Sequence, residues 1–108
     1  MAYKLTKNPA FSAKVTVMTP NDRAGYDRSS FTARYRRTNL DETLELRQLP
    51  PKECLERVLI GWEEFVDDDN NPVPFNEHTL QAILSEPPAV MALYDGFVNT
   101  VVKAREKN

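Results

Sequence analysis

Two stretches near the start of the chain alternate apolar and polar residues one by one. In residues 11–18, Phe11, Ala13, Val15 and Val17 fall on one side, and Ser12, Lys14 and Thr16 on the other. A period of two sends successive side chains to opposite faces, so this stretch is predicted to be a half-buried strand. Thr19-Pro20-Asn21-Asp22 breaks it, and the polar connection around Gly25 is long enough to predict a loop rather than a tight hairpin turn. Residues 30–37 alternate again, with Phe31, Ala33 and Tyr35 inward and Thr32, Arg34 and Arg36 outward. The two runs predict an antiparallel pair, with room for a small third strand between them. Two strands alone are marginal in water, so their apolar face needs cover.

Beyond residue 38 the apolar spacing lengthens to that of helices. Asn39 can cap a first helix with acidic Asp41 and Glu42 in its first turn and a thin apolar stripe of Leu40, Leu44 and Leu49. Pro50-Pro51 ends that segment and starts another, because proline fits a first helical turn but not an interior. Over residues 51–65, Cys54, Leu55, Val58, Leu59, Trp62 and Phe65 recur at spacings of one, three and four, which predicts one amphipathic helix. A turn over residues 67–71 follows, with Pro72 and Pro74 keeping the backbone extended after it. Asn76 can cap a short helix presenting Leu80, Ile83 and Leu84. After Glu86-Pro87-Pro88 a last helix is expected over residues 88–103, with Val90, Leu93, Tyr94, Phe97, Val98 and Val101 on one face. Gly96 inside it costs up to about 1 kcal/mol relative to alanine, a sign of close packing. Lys103, Arg105 and Lys107 suit its C-terminal end. The expected fold is α+β in a single domain over residues 1–108. A loose start leads into an N-terminal antiparallel β-hairpin or small sheet (about 11–37), packed against a C-terminal bundle of three to four helices (about 40–105).

Composition narrows the setting. The chain has 108 residues, 41% apolar and 28% charged, which is enough for one modest core and too apolar for a disordered chain. No apolar run approaches the roughly 20 residues that span a bilayer, and residues 1–7 lack a signal-peptide core. A single cysteine, Cys54, excludes an internal disulfide framework. The expectation is a cytoplasmic protein with no membrane association. Net charge is only −2, but residues 1–37 carry +6, residues 38–86 carry −9 and residues 87–108 carry +1. A basic head on an acidic middle suggests internal complementarity or two differently charged contact surfaces.

Candidate chemistry is sparse. Asp67-Asp68-Asp69-Asn70-Asn71 invites a calcium loop, but a start at Asp67 puts Pro72 where glycine is needed and His78 where a bidentate glutamate is needed. A start at Asp68 puts Pro72 at a ligand position. The simpler reading is a solvated acidic turn, and no metal is expected. His78 is the only histidine, and Cys54 reads as a small buried thiol. Gly25, Gly61 and Gly96 lie too far apart for a phosphate loop, so neither a cofactor nor an enzyme activity is expected. Arg34, Arg36 and Arg37, with Arg23 and Arg28 near by, form a candidate basic surface interleaved with Phe31 and Tyr35, as nucleic-acid stacking requires. Those aromatics are more simply the sheet's inner face, and a pI near 5.4 opposes the nucleic-acid reading. Trp62, Phe65 and Phe75 have two readings. They pin the acidic turn to the core, or part of this cluster, or of the Phe97, Val98, Val101 and Val102 end of the last helix, forms an exposed apolar patch for a helical or unfolded partner.

Read together in order, several short motifs carry a resemblance. They are Lys7-Asn8-Pro9-Ala10-Phe11, Phe31-Thr32-Ala33-Arg34-Tyr35-Arg36-Arg37, Gly61-Trp62 before the acidic turn, Pro72-Val73-Pro74-Phe75, and Lys103-Ala104-Arg105-Glu106-Lys107-Asn108. This order and spacing resembles the tail assembly chaperones of long-tailed bacteriophages and prophages, over nearly the whole chain. The resemblance implies a non-enzymatic factor of the host bacterial cytoplasm that binds the helical, aggregation-prone tape measure protein and keeps it soluble. It further implies recruitment of major tail tube subunits, absence from the mature virion and, in many such genes, a longer frameshifted product. The family lends no catalytic, metal or cofactor residue. A structural minor tail or tail-completion protein is the alternative within the same setting, and a small nucleic-acid module using the basic strand face is a second. On the client-binding reading, the candidate partner-binding residues are Trp62, Phe65, Phe75, Phe97 and Val101, set beside the −9 segment.

Overall fold

Alternation along the first two strands carries directly into a hairpin. The computed structural model describes residues 2, 3, 5 and 9–101. β1 (Ala10–Pro20) and β2 (Tyr26–Arg36) pair antiparallel over their whole length, placing Phe11 opposite Tyr35, Ala13 opposite Ala33 and Val15 opposite Phe31 on one face. The connection is tighter than its composition suggests. The Asn21 amide donates to the Gly25 carbonyl at 3.0 Å, and the Asn21 side-chain oxygen accepts from the amides of Arg23 and Gly25 at 3.0 and 3.1 Å. With these bonds made locally, residues 21–25 close a compact turn rather than an open loop, and no strand lies between the two.

The third strand comes instead from a stretch that reads as helix. α2 (Pro51–Val58) stops early, and β3 (Leu59–Glu63) joins the other edge of β2 in the order β1-β2-β3. Ala33 pairs with Trp62 and Arg34 with Gly61, but Tyr35 pairs with Leu59, which leaves Ile60 as an extra residue in a β-bulge. The bulge lets Leu59 and Trp62, three residues apart, share the inner face. Hence the spacing of three, ordinarily a helical mark, arises here in a strand, and the predicted helix over residues 51–65 is wrong beyond Val58.

Four helices cover the sheet, as the expected α+β class requires: α1 (Leu40–Leu46), α2, α3 (Glu77–Ile83) and α4 (Pro87–Val101). Asn39 and Asn76 cap α1 and α3, each side chain accepting a backbone amide three residues on, at 2.8 and 3.0 Å. The apolar stripe expected on α1 is wrong at Leu40 and Leu44, which are 72% and 50% exposed; Leu49, beyond the helix, packs against the core, and Thr43 and Leu46 turn inward. Arg36 on β2 grips Glu42 through two hydrogen bonds of 3.0 and 2.8 Å, and Thr43 bonds back to the Asn39 carbonyl and to Thr38. Burial of Leu46, together with these polar ties, sets the rotation of α1. The expected extension of α4 to residue 103 and its basic end lie outside the described residues, as does the turn expected at Asn8. Among the described residues no helix is long and apolar enough to cross a membrane.

The core closes where α4 crosses the hairpin. Tyr35 and Phe97 are both fully buried, with ring centroids 5.6 Å apart, and Phe11 stacks on Tyr35 at 5.3 Å. The Tyr35 hydroxyl donates to the Leu93 carbonyl of α4 at 2.7 Å. Burial, and secondarily the nearby Cys54, push its pKa far above the ordinary tyrosine value, so it stays a neutral donor. Gly96 makes the approach possible, because a Cβ there would lie 3.0 Å from that hydroxyl and 3.4 Å from Val15 Cγ2. Gly96→Ala is expected to lower stability by about 1–2 kcal/mol, rather than give the gain usual for such a change in a helix. Tyr35→Phe should cost about 1 kcal/mol for the lost bond. In the double variant the losses should be less than additive, since the nearest obstacle becomes Val15. Urea unfolding of the four proteins checks this cycle.

Candidate functional site

Local geometry after β3 turns the chain beneath the sheet. Glu64 adopts a left-handed backbone conformation (φ 62°), a region disfavoured for a side chain with a Cβ, and ends the strand. Phe65 then packs under the sheet, its ring 5.2 Å from Phe31 and 4.8 Å from Trp62. Val66 bridges to Pro72, the Asp67 amide donates to the Asn71 carbonyl at 3.0 Å, and the Val73 amide donates to the Phe65 carbonyl at 2.9 Å. The Asp67 carboxylate accepts from the backbone amides of Asp69 and Asn71 at 2.9 and 3.0 Å, so it stabilises the turn itself. Trp62 fastens the far side: its indole N–H donates to the Val73 carbonyl at 2.8 Å, and its ring meets Phe75 edge-on at 4.7 Å. The pinning reading of these aromatics describes what they do.

Of the residues expected to face a partner, the fold brings together Trp62, Phe65 and Phe75. Phe97 is a correction: it is fully buried against Tyr35 and Phe11, because its helical face is the one that covers the sheet. Val101 lies elsewhere, in a cavity of about 510 Å³ with Phe11, Leu40 and Leu44, rimmed by Arg37 and Arg47. The basic strand face is not a stacking platform, since Phe31 and Tyr35 are buried. Arg36 is bonded to Glu42; that hydrogen bond first, then the opposite charge, holds the carboxyl below the usual glutamate range. Arg37 lies 6.0 Å over the Phe11 ring, and Arg34 is exposed beside Gly61. Cys54 is sealed in the core, where burial raises its pKa and Arg57 opposes that only partly, while His78 is exposed on α3.

Phe65 forms part of a groove of about 450 Å³ that no local pattern signals. One wall is sheet: Val17 and Thr19 of β1, with Ser29, Ser30 and Phe31 of β2. Glu64, Phe65 and Val66 make a second wall, and Ile83, Glu86, Pro88 and Ala89, at the junction of α3 and α4, make the third. Its lining is chiefly apolar, with two glutamates and no basic residue. Size and lining suit an apolar segment of another chain better than a polar metabolite. The residues come from four separate stretches, which is why periodicity could not assemble them. Only the abrupt Glu86-Pro87-Pro88 break marked one corner. Comparison with known proteins gives no match to a family model, a curated protein or a solved structure.

Trp62→Phe keeps a ring in place and removes the indole donor. It should cost about 1 kcal/mol, through the unpaired Val73 carbonyl. Amide exchange of residues 67–73 should quicken more than that of β1 and β2, read by hydrogen-exchange NMR.

Proposed function

We propose that this chain is a non-enzymatic assembly factor of the tail-assembly-chaperone kind, which covers apolar stretches of a tape measure protein and keeps them soluble. The observation that carries this reading is the groove between β2, residues 64–66 and the α3–α4 junction: an apolar surface rimmed by Glu64 and Glu86 and continued by the exposed acidic turn. The order of motifs along the chain supports it as well. An apolar groove shields the part of a client that aggregates, and the acidic residues around it add charge that keeps the complex dispersed.

Magnitudes favour a reversible grip. Burying roughly 300 Å² of client apolar surface contributes about 7 kcal/mol, against about 4–15 kcal/mol for lost freedom on association. Binding at one groove is therefore weak, which suits a factor that recruits tail tube subunits and then leaves before the virion matures. The site of action is the host bacterial cytoplasm.

Co-expression with the tape measure protein from the same tail gene cluster, followed by pull-down, tests the proposal. A complex and a larger soluble client fraction are expected; no complex and no gain in solubility would overturn it. Mass spectrometry of purified virions should lack the chain, whereas a stoichiometric band would make it a structural tail component instead.

A further inference from the structure

The groove also has an open strand edge. β2 runs from Tyr26 to Arg36, but β3 pairs only with Thr32 to Tyr35. Glu64 then turns the chain under the sheet, so residues 26–31 have no strand neighbour on that side among the described residues. Alternate residues there direct their amide and carbonyl groups outward. Ser29, Ser30 and Phe31, three consecutive residues whose side chains alternate between faces, all line the groove. A cavity lined by both parities of one strand runs along its edge as well as under its face. The neighbouring apolar residues, Val17, Phe65, Val66, Ile83 and Ala89, then offer a floor for every second side chain of an added strand.

We propose that the groove binds an extended segment of its client, added as a strand to the open edge of β2 at residues 26–31, with alternate apolar residues and flanking lysine or arginine. This deepens, and rests on, the reading of the groove as the client surface. The basic flanks follow from charge. Glu64 and Glu86 line the groove, Asp67-Asp68-Asp69 follows Val66 directly, and no lining residue is basic; on the open edge itself Arg28 is balanced by the adjacent Asp27, whereas the cavity at Val101 carries Arg37 and Arg47 and no acid. A basic segment is drawn to the first surface and repelled by the second. Glu64 also sits where glycine would be at ease, its carboxylate accepting a hydrogen bond from the Thr32 hydroxyl at 3.0 Å. Thr32 is the residue at which β3 stops pairing, so this bond holds the charge at the mouth of the open edge. Strand addition satisfies backbone groups that a docked helix, bonded within itself, would leave unpaired.

Three synthetic peptides bound to the full chain test this: a Val/Thr alternating peptide with lysine flanks, the same peptide with glutamate flanks, and a Leu/Ala helical peptide with lysine flanks. The first should bind tightest, slow amide exchange at residues 26–31, and lose affinity at least tenfold when its edge-facing amides are N-methylated. Glu64→Gly should leave the fold as stable or more so, while weakening that peptide about three- to fivefold and flattening the salt dependence of binding. Equal binding of the helical peptide, or unchanged exchange at residues 26–31, would overturn strand addition. Equal binding of the glutamate-flanked peptide would overturn the charge selection. Either result would leave tape measure pull-down intact, whereas loss of pull-down itself would remove the underlying functional reading.

Discussion

The packing of α4 on the hairpin centres on one buried hydroxyl that reaches one helix carbonyl. Tyr35 stands in the central strand, and its phenol crosses the core to Leu93 on α4. A phenol buried without a partner would lose about 1–3 kcal/mol, so the bond favours a close approach of α4. Gly96 grants that distance. Around this point Phe11, Phe97 and Val15 close the packing between hairpin and helix. The strand pair, marginal alone, gains its cover here.

The same demand for satisfied polar groups organises the other end of the molecule. β3 ends where Glu64 takes up a strained backbone conformation, and the acidic turn that follows is tied by Asp67 to its own amides and by Trp62 to Val73. Because Trp62 holds the chain at Val73, Phe65 stays beneath the sheet instead of continuing beside it. The groove and the open stretch of β2 are thus one consequence: the chain that could have covered that edge is pinned under it. Acidic residues accumulate at this mouth, and arginines line the cavity at Val101. Arg36 of the basic head is paired with Glu42 of the acidic middle, so part of the uneven charge along the sequence is matched within the fold.

Much of the fold was legible in the residues. Alternation located β1 and β2, Asn39 and Asn76 marked two helix starts, Pro51 marked a third, and Gly96 announced a close approach. Each is a local matter, decided by the dihedral preferences and hydrogen bonds of residues adjacent in the chain. Four things were not local. The spacing Leu59–Trp62 reads as helical until a neighbouring strand forces a bulge at Ile60. Leu40 and Leu44 read as a buried stripe until Leu46 packs into the core and Arg36, on another element, takes hold of Glu42. Phe97 reads as a surface anchor until α4 is laid against Tyr35. The groove exists only once residues 17, 31, 65, 83 and 89 are brought together. By itself, then, the sequence determined the class of fold, the caps and the charge asymmetry, since these follow from near neighbours. Strand or helix at Trp62, the rotation of α1 and the site itself were decided by tertiary contacts, because each turns on a partner far away in the chain.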